Sequence, residues 1–441
     1  MKIAIISRDN EFLYPTTYFG VSQGHIDHKL AKSAVVSSQV DYWSKLETHV
    51  TAEHIDASHN KIKLSNGKTF TYKALLLATG FDHQISAIKG LDKFSEAPEE
   101  ENVFIHSLDH LKRISQNYYH GWRHKFGDFI CYSPKFPYKG EGTDFYALYY
   151  ENFLRHDKLI NLSSQGARIQ FWTPNKEIYR FAYANEVALD ECHKRGIDVM
   201  FGWEMIEVKK TEIGEKIAVF RNVDNGEVIE RPFQTACINP PSKPQSVITE
   251  SGLGDKDGLV DVNRYTLQHK KYENVFAFGD CIGGDTTRTQ HAAVAQNPIV
   301  KHNVLRFLQG KDCNAVYDGY TYFPLWTGNM SATSFAHKHD FEPDTWNHYI
   351  PNVGVLSRYY RFWQQWQFAR QAPQYGSHEK DNGPPFGYFP AEYDELEHNE
   401  YLQTHQIPLE HVRHPDATRR LESHEEHPLA HFAHAHDGHH H

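Results

Sequence analysis

The chain has 441 residues, enough for two or three domains with full cores, and its formal charge of −10 excludes nucleic acid as the main partner, because phosphate recognition needs a concentrated basic face. No apolar run is long enough to cross a bilayer. Five scattered cysteines, Cys131, Cys192, Cys237, Cys281 and Cys313, have no CxxC spacing and exclude a disulfide scaffold or a zinc ribbon.

Taken in order, Lys2 to Ser7 reads as a strand at once, with no room for a signal or transit peptide before it. Lys61 to Thr71 reads as a hairpin turning at Asn66-Gly67. Tyr72 to Leu77 is then a buried strand that ends in Ala78-Thr79-Gly80, three small residues that allow a close backbone approach. From about His120 a second α/β unit opens, with strands at Asp128 to Ser133 and Arg168 to Thr173. Between them, Gly140-Glu141-Gly142 precedes a helix over Tyr146 to Arg155. That loop can be read as a nicotinamide site, but its third glycine position is Phe145, and the next strand ends in Thr173-Pro174 without a ribose-binding acid.

Val275 to Phe278 is a short β-run that stops at Gly279-Asp280, and an Ala-rich helix is expected from about Thr289. A strand delivering Gly-Asp to the mouth of a helix suits a flavin: the Asp280 carboxylate accepts from a ribityl hydroxyl, and the helix N-terminus offers N–H groups. The plain alternative is a Gly-Asp turn. Further on, Tyr359, Phe362, Trp363 and Trp366 recur at helical spacing opposite Arg358, Arg361, Gln364 and Gln365, the pattern of a helix lying in a membrane interface or packed on a protein. From Pro373 the chain is rich in Pro, Gly, acids and His, which predicts no independent core, and its terminal histidines bind metal only loosely.

The stretch GLVDVNRYTLQHKKYENVFAFGDC, residues 258 to 281, resembles the second flavin motif of two-dinucleotide-binding-domain flavoproteins, and among them most resembles the mitochondrial-type sulfide:quinone oxidoreductases. The resemblance runs from Ile3 to about Ala372, and Ala78-Thr79-Gly80 is similar to the superfamily's ATG motif. It implies FAD as cofactor, with Ala78, Thr79, Gly80, Gly279 and Asp280 as its binding residues. It also marks four departures. IAIISRDNEFLYPTTYFGVSQG resembles the family's second strand, so the first strand, its Gly-rich turn and the first helix are missing, and Ser7 stands at the acidic position that binds the adenosine ribose. The family's two redox cysteines fall on Gly140 and Phe323, and a thiolate is the reagent in that chemistry.

The expected fold is therefore α/β: two Rossmann-like domains lacking the first βαβ unit, plus a C-terminal amphipathic helical region. Residues 1–118 and 238–320 form the FAD-type domain, 119–237 the second unit, 321–380 a membrane- or partner-facing region, and 381–441 an extended tail. No catalytic residue and no metal site are assigned. The expected function is a structural or accessory subunit, without sulfide oxidation, lying monotopically on the mitochondrial inner membrane beside other subunits. The alternative is an active FAD enzyme reducing membrane quinone.

Overall fold

In the computed structural model the residues described are 2–13, 18–22, 27–34, 45–117, 127–141, 144–148, 150–151, 168–328, 331–344 and 395–417. The aromatic segment 358–370 and the His-rich terminus from 418 onward lie outside them.

The first unit begins with β1 (Ala4–Ser7) and β2 (Lys45–Thr48), which pair in parallel. An antiparallel meander over Ala52–Asp56, Lys61–Leu64 and Thr69–Thr71 follows, turning at Asn66-Gly67 as the sequence predicts. It leads into β3 (Leu75–Leu77). The second unit is a five-stranded parallel sheet made of β4 (Val103–Ile105), β5 (Phe129–Tyr132), β6 (Ile169–Thr173), β7 (Asp198–Phe201) and β8 (Thr235–Ile238), in the spatial order β4-β8-β5-β6-β7. Its strands FICY and IQFWT are buried along their whole length, as strands covered on both faces must be. One face carries α1 (Leu108–Asn117) and α2 (Ala182–Arg195); the other is covered by an antiparallel sheet over 203–233. The sheet starts earlier than expected: Val103–Ile105, read from sequence as part of the first domain, is its edge strand because it pairs with β8.

The chain then returns to the first unit as β9 (Val275–Ala277), which pairs in parallel with β3, Leu77 opposite Ala277. Leu75, Leu77 and Val275 to Ala277 share one core with Ile55, Leu64, Val260 and Tyr317, while Leu76 faces outward. A long helix, α3 (Gln290–Leu308), packs over it; Thr289 caps the helix by accepting from the Ala292 N–H at 3.0 Å. Finally β10 (Thr321–Gly328) and β11 (Ser331–His337) form a hairpin against the second unit. Within the stretch expected as an extended tail, 395–417 is docked: Leu396, Leu402 and Val412 bury themselves around Val316. No helix among the described residues is long and apolar enough to cross a membrane.

Candidate functional site

The β3–β9 pairing brings together residues some two hundred positions apart. The Phe278 N–H donates to the Leu77 carbonyl at 3.1 Å, so Ala78-Thr79-Gly80 and Gly279-Asp280 leave adjacent strands at the same end. Gly279 is held there by its N–H donating to Gln296 Oε1 of α3 at 2.7 Å. Gly80 (φ +64°) and Gly279 (φ +80°) have the left-handed backbone that side chains rarely adopt. A Cβ on Gly80 would meet nothing within 4 Å, and one on Gly279 only the Ala293 methyl at 4.0 Å. The two glycines thus leave room beside their backbone next to Asp280. Burial raises the Asp280 carboxyl above the usual carboxylate range, opposed by Arg288 and Lys139. The adenosine half is not built in the same way: among the described residues there is no glycine-rich strand-to-helix turn, and β1 runs out into exposed Arg8 and Asp9. The residues present therefore suit the flavin end of FAD, and among the described residues its nucleotide end has no counterpart.

The loop from Asp280 to the start of α3 is folded around a guanidinium. Arg288 donates to the carbonyls of Ile282 (2.8 Å), Gly284 (3.2 Å) and Thr286 (2.7 Å), and lies over the Phe81 ring at 5.8 Å. A second cation, partly buried, ties this loop to the other unit. Arg180 holds Glu141 in a two-pronged ion pair at 2.7 and 3.0 Å and reaches the Thr286 carbonyl at 3.4 Å. Glu141 in turn follows Gly140, so the predicted loop of the second unit is pinned against the Gly279-Asp280 corner.

At Gly140 itself the space is taken. Its φ is +81°, and a Cβ there would stand 2.4 Å from His106 Nε2 and 2.8 Å from Cδ2. His106 is wedged between Tyr18 and Tyr146, with ring centroids at 6.0 and 5.8 Å, and Tyr146 Oη lies 3.3 Å from its Nδ1. Burial, with His83 and Lys139 nearby, lowers its pKa to about 3, so the ring is neutral. The backbone of the loop is clamped as well: the Lys139 N–H donates to Ser242 Oγ (2.8 Å) and its carbonyl accepts from Asn239 Nδ2 (2.9 Å). Asn239 also donates to Asp144, which accepts from Ser133 Oγ (2.6 Å) and Tyr138 Oη (3.3 Å). Desolvation raises the Asp144 carboxyl to about 6 despite these bonds.

Phe323, the other family redox position, is 1% exposed on β10 and lies between Tyr179 (5.2 Å) and Phe335 (5.6 Å). Phe145, at the third glycine position of the nicotinamide reading, is edge-on to Phe171 at 4.7 Å. All five cysteines are buried and unbridged. Burial pushes Cys131 well above its ordinary value, raises Cys192, Cys237 and Cys313 to about 12, and raises Cys281. None is held as the thiolate that sulfur chemistry needs. Sequence reasoning found the two glycines and Asp280, but not His106, Glu141, Arg180 or Arg288. The first lies 34 residues from Gly140, and no spacing rule links them.

Comparison with known proteins places this geometry. No family model matches the chain. It is 31% identical over 274 residues to the mitochondrial sulfide:quinone oxidoreductase of Schizosaccharomyces pombe and 29% identical over 330 residues to that of Mus musculus. These matches take in 61% and 74% of the chain; it spans 57% and 70% of those relatives' lengths. In structure it matches a chain of the Tetrahymena thermophila mitochondrial ATP synthase with a TM-score of 0.74 and 26% identity, over 84% of this chain and 88% of that one. The sulfide:quinone oxidoreductase of Aquifex aeolicus matches with a TM-score of 0.61 over 85% and 87%, at 16% identity, a likeness of fold. The chain is thus similar in sequence to the mitochondrial sulfide:quinone oxidoreductases and shares with the bacterial one a fold of Rossmann-like units.

Proposed function

We propose that the chain has lost sulfide oxidation and serves as a structural or accessory subunit of a mitochondrial membrane complex. The observation that carries the first half is at Gly140. Where the chemistry would need a thiol, there is no side chain, and the buried, neutral His106 ring fills the place. At the partner position, Phe323 contributes only to an aromatic core. The second half is supported by the likeness, over nearly equal lengths, to a chain within a mitochondrial ATP synthase. Attachment would be peripheral, on the inner membrane, through the segment 358–370 with other subunits beside it.

A second reading, an FAD enzyme that passes electrons from another donor to quinone, is favoured by the open cradle at Gly80, Gly279 and Asp280. FAD bound there would supply two-electron redox chemistry. The chain's part would be to hold the polyol through Asp280 and to admit the ring past the two glycines.

The test is made on protein purified from its own membranes in mild detergent. Migration with a large complex, and sulfide-dependent quinone reduction no faster than free flavin, are the expected results. Sulfide turnover above that control would overturn the first half of the proposal. Recovery as a free monomer with stoichiometric flavin and quinone reductase activity would replace it with the second reading.

A further inference from the structure

The parallel strands of the first unit do not form one sheet. They come as two pairs, β1–β2 and β3–β9, and among the described residues neither pair has a third parallel strand. Both rest on one core, since Ile6 of β1 packs against the cluster that holds Leu75, Leu77 and Val275 to Ala277. Their carboxyl ends are drawn together by Arg8, the residue after β1, whose guanidinium binds Asp82, five residues beyond β3, at 3.2 and 3.3 Å. The carboxyl ends of the two pairs thus meet, and among the described residues no strand ladder joins one pair to the other.

The hydrogen bonds show which edges are open. On β1, the Ile3 and Ser7 carbonyls accept from Lys45 and Val50 on the β2 side. By the two-residue alternation of a strand, the backbone groups of Ala4 and Ile6 point the other way. On β3, the Leu75 N–H donates to the Asn274 carbonyl and the Leu77 carbonyl accepts from Phe278, so the groups of Leu76 point away from β9. The far edge of β9 is already covered, because Leu267 to His269 bonds to it. Ile3, 42% exposed, and Leu76, 44% exposed, are among the few large apolar side chains left in water. Two parallel edges of one core, each with unused backbone groups and an exposed aliphatic side chain, make a slot for a strand.

We propose that one extended segment of a partner polypeptide enters between β1 and β3 as a parallel strand, bonding to Ala4 and Ile6 on one side and to Leu76 on the other. The inference rests on the reading of the chain as a subunit of a complex, in which a neighbouring chain is at hand. The segment is an uncharged aliphatic one: its inward side chains meet Ile6, Leu75 and Leu77, its outward ones Leu76 and Ile3, and the closing ion pair at the carboxyl end is already matched in charge.

The test uses the full chain in its own membranes, with the photo-cross-linker p-benzoylphenylalanine in place of Ile3 and the adduct mapped by mass spectrometry. The expected product joins the chain to one aliphatic stretch of a different polypeptide. Leu76→Pro, which deletes an N–H that no described residue accepts, should cut that adduct at least tenfold and leave the circular dichroism spectrum of the purified chain unchanged. Should that variant not accumulate, Leu76→Lys keeps the N–H but guards the edge with charge, and is expected to lower the yield several-fold. An adduct only within the chain, or to a second copy of it, overturns the proposal. So does co-migration with a large complex without any adduct, which leaves the subunit reading standing; failure to co-migrate at all removes that reading and the inference together.

Discussion

Gly80 and Gly279 at one end of the site, and Gly140 at the other, are glycines with positive φ for opposite reasons. Beside the first two a Cβ would meet nothing closer than 4.0 Å; beside Gly140 it would run into an imidazole at 2.4 Å. One region leaves room beside its backbone, and the other has no room for a side chain. In the proposed reading, the gap that loss of a thiol at Gly140 would leave is filled by the His106 ring, as close packing of an interior requires.

The largest expected effect concerns acid. Burial lowers His106 and His339 to about 3 and His83, His110 and His337 to about 4, so their folded-state pKa values lie below the unfolded one near 6.5. A histidine buried neutral loses stability as pH falls through the unfolded pKa, because only the unfolded chain takes up the proton there. Asp144, raised to about 6, has the opposite slope, gaining stability as pH falls from about 6 to its ordinary range. The five histidines outweigh Asp144 and Asp280. Melts followed from pH 7 to 4.5 should show a loss of several kcal/mol, of the order of the whole stability of a domain. A flat profile would mean that the filled region is more open to water than its packing states. His106→Gln should make the profile shallower.

Next is the clamp between the regions. Arg180→Ala leaves Glu141, 2% exposed, as a buried unpaired carboxylate, with an expected cost of about 3 to 5 kcal/mol in urea unfolding. Arg180→Ala with Glu141→Gln should recover part of it. If the single variant costs under 1 kcal/mol, the pair does not join the two units energetically.

Third, Gly140→Cys should destabilise by about 3 kcal/mol, from left-handed backbone strain and overpacking against His106. Adding His106→Ala should relieve the overpacking. Gly140→Cys with Phe323→Cys should gain no sulfide oxidation while His106 is in place, read by flavin bleaching under sulfide. The smallest effect is at the preserved corner. Gly279→Val narrows the cradle and should lower flavin uptake at least tenfold in reconstitution titrations. Equal uptake would make Gly279-Asp280 a plain turn.

The corner was legible in the sequence because it depends on local signals: a buried β-run, small residues and a Gly-Asp stop. β3 and β9 end where these residues say they end. The repacked region was not, since His106 closes on Gly140 only after β4 has joined β8 at the edge of the second sheet, a pairing set by tertiary packing. For the same reason the docking of 395–417 escaped a compositional reading. Its few aliphatic residues are sparse in a polar stretch, yet Leu396, Leu402 and Val412 meet on Val316 once the chain has turned at Asn399 and Pro408.

The pairing of β3 with β9 also sets a timetable. Leu75 to Leu77 leave the ribosome some two hundred residues ahead of the strand they bond to. At about 5 to 20 residues per second, this leaves tens of seconds in which the first segment waits, its aliphatic strand without its eventual neighbour. During that interval the second unit can complete its own five-stranded sheet, whose strands all lie between 103 and 238. The nascent chain is thus expected to fold from the middle outward, with the first unit assembling last and most exposed to chaperones.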